Sequence, residues 1–137
     1  MAVKLRLQRG GKKKQPIYRI VAADGRYKRD GRFLEKIGSY NPNTTPMTIE
    51  VKENRALYWL GVGAQPTDTV RNLLSRKGIL LKWTLKKKGK DEATITAEFE
   101  KWSALQMLRA EKEQAKKDRR REKKKVAAKP AEAPAQA

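Results

Sequence analysis

The chain has 137 residues, and its 34 Lys and Arg against 15 Asp and Glu give a formal net charge of +19. This length suits one domain with an appendage better than two full domains. There is no Cys and no His, which excludes disulfides and thiolate metal sites and removes the commonest acid–base catalyst. Self-repulsion among so many cations indicates a partner with dense negative charge: RNA, DNA or an anionic membrane.

The first third of the chain is predicted to form strands. Residues 3–7 alternate between apolar and basic side chains, the pattern of a half-buried strand whose other face presents cations. Residues 17–23 are mostly apolar and include three β-branched side chains, which predicts a second strand. Residues 33–40 predict a third strand, and residues 47–51 can pair as a fourth.

Helices are predicted to follow the strands. Residues 53–60 are helix formers, and Gly61 can end that helix in the left-handed conformation. Thr67 or Asp68 can accept hydrogen bonds from the first turn of a second helix, which Gly78 ends. The apolar segment after Gly78 is expected to fold back onto the sheet.

The chain is predicted to have three parts. Residues 1–83 form an α+β domain, with a small antiparallel or mixed sheet of about four strands and two short helices. Residues 84–125 form a basic, partly amphipathic helical extension, in which Ile95, Phe99, Trp102, Leu105 and Leu108 lie roughly along one stripe. Residues 126–137, rich in Ala and Pro, are expected to be disordered.

A surface for nucleic acid is predicted from the first strand and the two loops that follow it. Ten cations lie there: Lys4, Arg6, Arg9, Lys12, Lys13, Lys14, Arg26, Lys28, Arg29 and Arg32. Such cations bind phosphates, and nearby tyrosines can stack on exposed bases or pack in the core. A merely solvated charged surface is the alternative, but basic residues outnumber acidic ones 12 to 3 over residues 1–36.

No enzyme motif competes with this interpretation. Asp24, Asp30 and Glu35 could serve an Mg²⁺-dependent nuclease, but the two aspartates sit among arginines, where salt bridges and turn capping are expected instead. Residues 61–66 begin like a dinucleotide fingerprint, yet Pro66 replaces the third glycine. The sequence predicts no catalytic residue, no metal site, no cofactor and no small-molecule substrate.

Three segments together resemble the bacterial small-subunit ribosomal protein 16 family. They are VKLRLQRGGKKKQPIYRI at residues 3–20, YRIVAADGRYKRDGRFLEKIGSYNP at 18–42 and YWLGVGAQPTDTVRNLL at 58–74. The resemblance covers about residues 1–82 in order and spacing. It implies a structural role in assembly of the small ribosomal subunit, contact with several helices of its ribosomal RNA, and adjoining ribosomal proteins as partners. A cytoplasmic location within that subunit is implied as well.

The resemblance also implies which residues face RNA. They are Arg6, Arg9 and Lys12 to Lys14, then Arg26 to Arg32, and the turn at Tyr40 to Asn43, in which Tyr40 and Asn41 are the site residues. Gly25 departs from the serine that is common in the family, which removes a hydroxyl and loosens the loop.

The extension leaves alternatives open. Its apolar stripe can dock on the domain or on a neighbouring protein while Arg119, Arg120 and Arg121 reach more RNA; a solvated helix without a fixed partner is equally compatible. A general nucleic-acid-binding architectural protein that compacts DNA is the main rival for the whole chain, although no recognition helix is evident. A membrane-surface protein is the second rival, based on Phe99 and Trp102 beside a basic run; no membrane-spanning segment is predicted.

Overall fold

The computed structural model describes residues 2–127. The chain forms two compact units that meet in sequence between Phe99 and Glu100. The first unit therefore continues beyond Trp83, where the composition changes. Of the tail predicted to be disordered, only Val126 and Ala127 belong to the described residues.

One mixed sheet of five strands forms the framework of the first unit, with the strands in the order β4-β3-β2-β1-β5. The strands are β1 (Val3–Lys12), β2 (Gln15–Asp24), β3 (Glu35–Asn41), β4 (Thr48–Val51) and β5 (Gln65–Pro66). Strands β1 to β4 pair in antiparallel fashion, whereas β5 runs parallel to β1. The longest pairing, between β1 and β2, extends over ten residue pairs from Val3–Asp24 to Lys12–Gln15.

Three helices cover one face of this sheet. They are α1 (Glu53–Gly61), α2 (Asp68–Arg76) and α3 (Ile79–Lys87). Alternation along β1 and β2 places Leu5, Ile20 and Ala22 on the helix side. These side chains are buried together with residues of the helices and of the other strands: Ile37, Ile49, Ala56, Leu60, Val70, Leu73, Leu74 and Ile79. The core is therefore a single layer between sheet and helices.

The α+β class is confirmed, and all four predicted strands are present. Two elements were not predicted. Strand β5 has only two residues, too few to leave a periodic pattern. Residues 79–81, expected to fold back onto the sheet, instead begin α3, because Gly78 adopts a left-handed conformation (φ 73°) just before the helix and Ile79 enters the core with 1% exposure.

The predicted helix ends need correction as well. Gly61 is the last residue of α1, and the left-handed residue is Gly63, with φ 96°. Thr67 precedes α2 in an extended conformation without a side-chain capping bond. Its backbone N–H instead donates to the Leu5 carbonyl over 2.9 Å, so sheet pairing fixes the start of α2.

Helix α4 (Glu92–Ala127) contains the described part of the second unit. There Leu105, Met107 and Leu108 are exposed by 53%, 69% and 53%, so the predicted stripe does not stay buried along its length. Within residues 2–127, no helix has both the length and the apolar character needed to cross a membrane.

Candidate nucleic-acid interface

Residues 24–34, here called the basic loop, lie against the sheet face opposite the helices. On that face Val21 pairs with Arg6 and Ala23 pairs with Lys4, and both apolar residues are fully buried. The loop leaves β2 at Asp24 and returns to the sheet where the Leu34 N–H donates to the Ala22 carbonyl over 2.8 Å. Sheet and loop together thus bury a face that would otherwise be open to solvent.

Strand β1 fixes the first half of the basic loop. The Gly25 N–H donates to the Ala2 carbonyl over 3.0 Å. The two terminal nitrogens of the Arg6 guanidinium donate to the carbonyls of Tyr27 (2.8 Å) and Lys28 (2.7 Å). Bonds from a charged donor typically contribute roughly 1.5–3 kcal/mol each, about twice as much as neutral ones. The Arg6 guanidinium therefore holds the loop backbone in place instead of presenting its charge at the surface.

Gln8 fixes the second half of the loop. Its Nε2 donates to the carbonyls of Asp30 and Gly31, both over 3.1 Å. The residue is only 8% exposed, and its Oε1 is buried without a hydrogen-bond partner among the described residues. A buried unpaired acceptor typically costs about 1–3 kcal/mol, which an apolar residue here would avoid. The two hydrogen bonds that the Gln8 amide donates to the loop therefore account for a polar residue at this buried position.

The two aspartates of the loop serve its conformation. The Asp24 carboxylate accepts from the Arg26 N–H over 3.0 Å, which closes a turn. Asp30 accepts from the Arg9 N–H over 2.9 Å and from the Arg29 guanidinium over 2.7 Å. The hydrogen bond from Arg29, followed by that from the Arg9 N–H, lowers the pKa of Asp30. Both carboxylates are occupied in turn closure and pairing with loop cations.

Exposed cations and rings form the outer surface of the basic loop. Its cations are all exposed: Arg26, Lys28, Arg29 and Arg32. Tyr27 is 50% exposed and Phe33 38% exposed. Guanidinium and ammonium groups beside accessible rings can bind phosphates and stack on unpaired bases. The loop therefore has the chemistry of an RNA contact on a backbone that is already fixed.

A second group of cations occupies the turn between β1 and β2. Lys12, Lys13 and Lys14 are exposed there, and Lys14 adopts a positive φ of 66°. Gly11 also has a positive φ, 82°, and a Cβ at this position would collide with the Gln15 carbonyl oxygen. Glycine is therefore required for this tight turn, which projects three lysines from the end of the sheet.

The turn after β3 lies at the same end of the sheet. Tyr40 is half-buried and stacks on Tyr18, with ring centroids 6.0 Å apart. The Asn41 side chain accepts from the Asn43 N–H over 3.0 Å, and Asn43 Nδ2 donates to the Pro16 carbonyl over 2.9 Å. Tyr40 and Asn41 thus shape this turn, which adjoins the lysines of the hairpin.

The ribosomal protein S16 family model matches residues 9–67. The small ribosomal subunit protein bS16 of Chlorobium phaeobacteroides is 52% identical over 125 residues, 91% of this chain and 93% of that protein. The bS16 protein of Chlorobium limicola is 52% identical over 132 residues, 96% of this chain and 99% of that protein. That of Porphyromonas gingivalis is 57% identical over 106 residues, 74% of this chain and 55% of that protein.

The chain belongs to the ribosomal protein S16 family. The resemblance seen in the sequence is therefore confirmed, as is the prediction that the chain is not an enzyme, since this is a family of structural ribosomal proteins. The chain is thus a protein of the small ribosomal subunit, and it takes part in translation. The match to the Chlorobium limicola protein, at 96% of the chain, necessarily includes most of the segment after Trp83.

The structure brings most of the predicted site residues of the S16 domain together along β1. Lys4 is exposed on the face of β1 that carries the basic loop, whereas alternation places the exposed Arg9 side chain on the opposite face, and Arg9 meets the loop through its backbone N–H. Arg6 is the exception because its guanidinium is directed into the loop backbone. Arg119, Arg120 and Arg121 are exposed on α4 in the second unit.

Two basic residues of the sheet escaped the sequence analysis. Arg19 pairs with Gln8 and Lys36 pairs with Val21, so both belong to the face that carries the basic loop. Both side chains are exposed. The position of Arg19 between Tyr18 and Ile20, within an otherwise apolar strand, was a signal that could have identified it. Arg19 and Lys36 extend the positive surface from β1 across β2 to β3.

The acidic residues considered for metal binding are engaged elsewhere. Glu35 faces the helix side, where it accepts from Arg55 over 2.6 and 2.7 Å and from the Trp59 indole N–H over 2.8 Å. The Arg55 hydrogen bond, followed by the Trp59 hydrogen bond, lowers the pKa of Glu35 to about 2. Among the described residues, no group of three or more acidic side chains could hold a metal ion.

Proposed function

We propose that this chain binds small-subunit ribosomal RNA through the basic loop, the hairpin lysines and the turn at Tyr40 and Asn41. In this role it supports assembly of the subunit and translation in the cytoplasm. Its partners are that RNA and adjoining small-subunit proteins, without a membrane or a small-molecule substrate. The single observation that carries the proposal is the basic loop, whose exposed cations stand on a backbone fixed to β1.

The proposed mechanism combines charge neutralisation with recognition of RNA shape. Cations of the loop and hairpin offset phosphate repulsion where RNA helices approach each other. Phosphate contacts carry little sequence information. The fixed geometry of the surface therefore supplies selectivity, because only RNA folded to a complementary shape meets the loop, Lys12 to Lys14 and the Tyr40 turn at once.

The second unit is proposed to add affinity. Arg119, Arg120 and Arg121 follow one another on α4, and all three are exposed. Successive helix residues point about 100° apart, so these three guanidinium groups spread over most of the helix circumference instead of forming one face. Such a distribution suits electrostatic attraction to phosphate from several directions rather than recognition of one RNA surface.

Sedimentation of a cell extract through sucrose gradients, at moderate and at high salt, tests the proposal. Stable incorporation predicts that the chain migrates with the small subunit in both conditions. Release by a modest increase in salt would indicate general nucleic-acid binding, because nonspecific phosphate contacts have a steep salt dependence. Absence from ribosomal fractions in both gradients would refute the proposed role.

A further inference from the structure

Arg6 and Gln8 lie on the face of β1 that the basic loop covers. We propose that they are positioning residues, which fix the basic loop in its RNA-binding shape before RNA arrives and make no RNA contact themselves. The RNA half of this inference rests on the proposed function. The structural half concerns the free protein and can be tested without RNA.

The geometry of Arg6 assigns its charge to the loop backbone. Its terminal nitrogens bond to two consecutive carbonyls, those of Tyr27 and Lys28, over 2.8 and 2.7 Å. A planar guanidinium can hold two acceptors at once, whereas a lysine ammonium acts as a point donor on a flexible stem. Turning Arg6 toward a phosphate would release both carbonyls. Its Nε is also buried, with no hydrogen-bond partner among the described residues, so this edge of the group is closed to RNA.

Gln8 is inaccessible to a ligand for a different reason. The residue is 8% exposed, and its amide nitrogen donates to the carbonyls of Asp30 and Gly31, both over 3.1 Å. A phosphate could reach it only if the loop moved away. Its function in the fold is therefore to hold the second half of the loop.

The two side chains act on adjoining stretches of the same loop. Arg6 holds the carbonyls of residues 27 and 28, and Gln8 holds those of residues 30 and 31. Lys28 is one of the two residues whose carbonyls Arg6 holds, and Arg29 lies between the two stretches that are held. Fixing a loop before binding lowers the conformational entropy that association must overcome. The loop is thus held in its RNA-binding conformation before RNA is bound.

Hydrogen exchange of the RNA-free full-length chain tests the structural half. Arg6→Lys keeps the positive charge but cannot donate to both carbonyls at once in the fixed geometry of a guanidinium. Gln8→Met keeps the side-chain volume but removes both hydrogen bonds to the loop. Both variants should exchange the amides of residues 26–33 about tenfold faster, as expected for losing one charge-assisted bond or two neutral bonds. Amides in the middle of β2 should be unchanged. Arg19→Met is the matched control because Arg19 is exposed on the same face of the sheet, and the loop of this variant should exchange like that of the original chain.

Binding to a small-subunit ribosomal RNA transcript tests the other half. Arg6→Lys should bind at least about tenfold more weakly with an unchanged salt slope, since no phosphate contact is lost. Wild-type loop exchange in both variants, or exchange accelerated throughout β2 as well, would overturn the proposal. A loosened loop with unchanged affinity would also overturn the positioning role. If the original chain itself does not prefer this transcript over unrelated RNA, the proposed function fails, and the exchange data still report separately on the fastening.

Discussion

The basic loop and the outer part of α4 have the same balance of charge but different supports. Residues 24–34 contain four cations and two carboxylates, and residues 109–123 contain eight cations and four carboxylates. The loop backbone is fixed by bonds to β1, and its carboxylates close turns or pair within the loop. The α4 segment is a continuous helix with every side chain exposed. The two regions thus have the same ratio of positive to negative side chains, but the loop is held in a tertiary structure whereas the α4 segment is an exposed charged helix.

Net charge alone therefore does not describe the surface that such a protein presents to a polyanion. The loop gains its geometry from a folded domain, so anything that unfolds the domain also destroys the surface. The helix gains its geometry from its own backbone bonds, and its charges act over a distance set by the ionic strength. The following variants separate these two modes.

The largest expected effect is on the fold that supports the loop. Leu74 is fully buried in the core, and Leu74→Ala should lower the free energy of unfolding by about 2–5 kcal/mol through lost burial and the cavity left behind. Leu105 is 53% exposed on α4, so Leu105→Ala should change it by less than about 0.5 kcal/mol. Urea unfolding of both variants measures the contrast. Equal losses would show that the two regions do not differ in their dependence on the core.

The next effect concerns the salt dependence of binding. Replacing Arg119, Arg120 and Arg121 together with Gln should reduce the magnitude of the slope of log K against log salt by about 2 to 3 if all three meet phosphates. Affinity should fall by the same factor for ribosomal RNA and for unrelated RNA. Titrations at several salt concentrations provide both numbers. An unchanged slope would remove α4 from the RNA-binding surface.

A smaller effect is expected from pH. The pKa of Glu35 is about 2 in the folded chain, below its ordinary value of 4.5. The pair with Arg55 therefore stabilises the fold above about pH 4.5, and this contribution is lost as the pH falls from about 4.5 to about 2. The loss is modest because the Arg55 and Glu35 side chains are 44% and 27% exposed. Glu35→Gln should flatten the unfolding free energy across this range; an unchanged slope would contradict the assignment.

Periodicity made the main part of the fold predictable. Residues 3–8 of β1 alternate between apolar and polar side chains, and β2 is mostly a run of apolar and β-branched residues, so both patterns identified strands. The two-residue β5 was too short for any pattern. The apolar run at Ile79 fitted a strand or a helix equally well, and Gly78 was interpreted only as an end rather than also as a beginning. Core contacts, which depend on the whole domain, resolved that ambiguity.

The candidate site was predictable in its composition but not in its construction. The exposed cations of the loop and hairpin were identifiable from residue type and turn signals. Arg6 was assigned to the same group because a sequence does not reveal that a guanidinium meets two backbone carbonyls 21 and 22 residues away. The role of Gln8 was not predicted because an uncharged side chain does not stand out among the cations of β1. These roles arise from the path of the loop across the sheet, which no local pattern encodes.

We propose that the basic loop recognises RNA shape while α4 contributes charge. Two double variants, Arg26→Gln with Arg29→Gln and Arg119→Gln with Arg120→Gln, each remove two positive charges. The direct measurement is the ratio of affinities for folded small-subunit ribosomal RNA and for a duplex of similar length at one salt concentration. We expect the loop variant to lower this ratio by at least about tenfold, the loss expected for shape-dependent contacts, and the α4 variant to leave it unchanged. Equal ratios for the two variants would contradict this proposal.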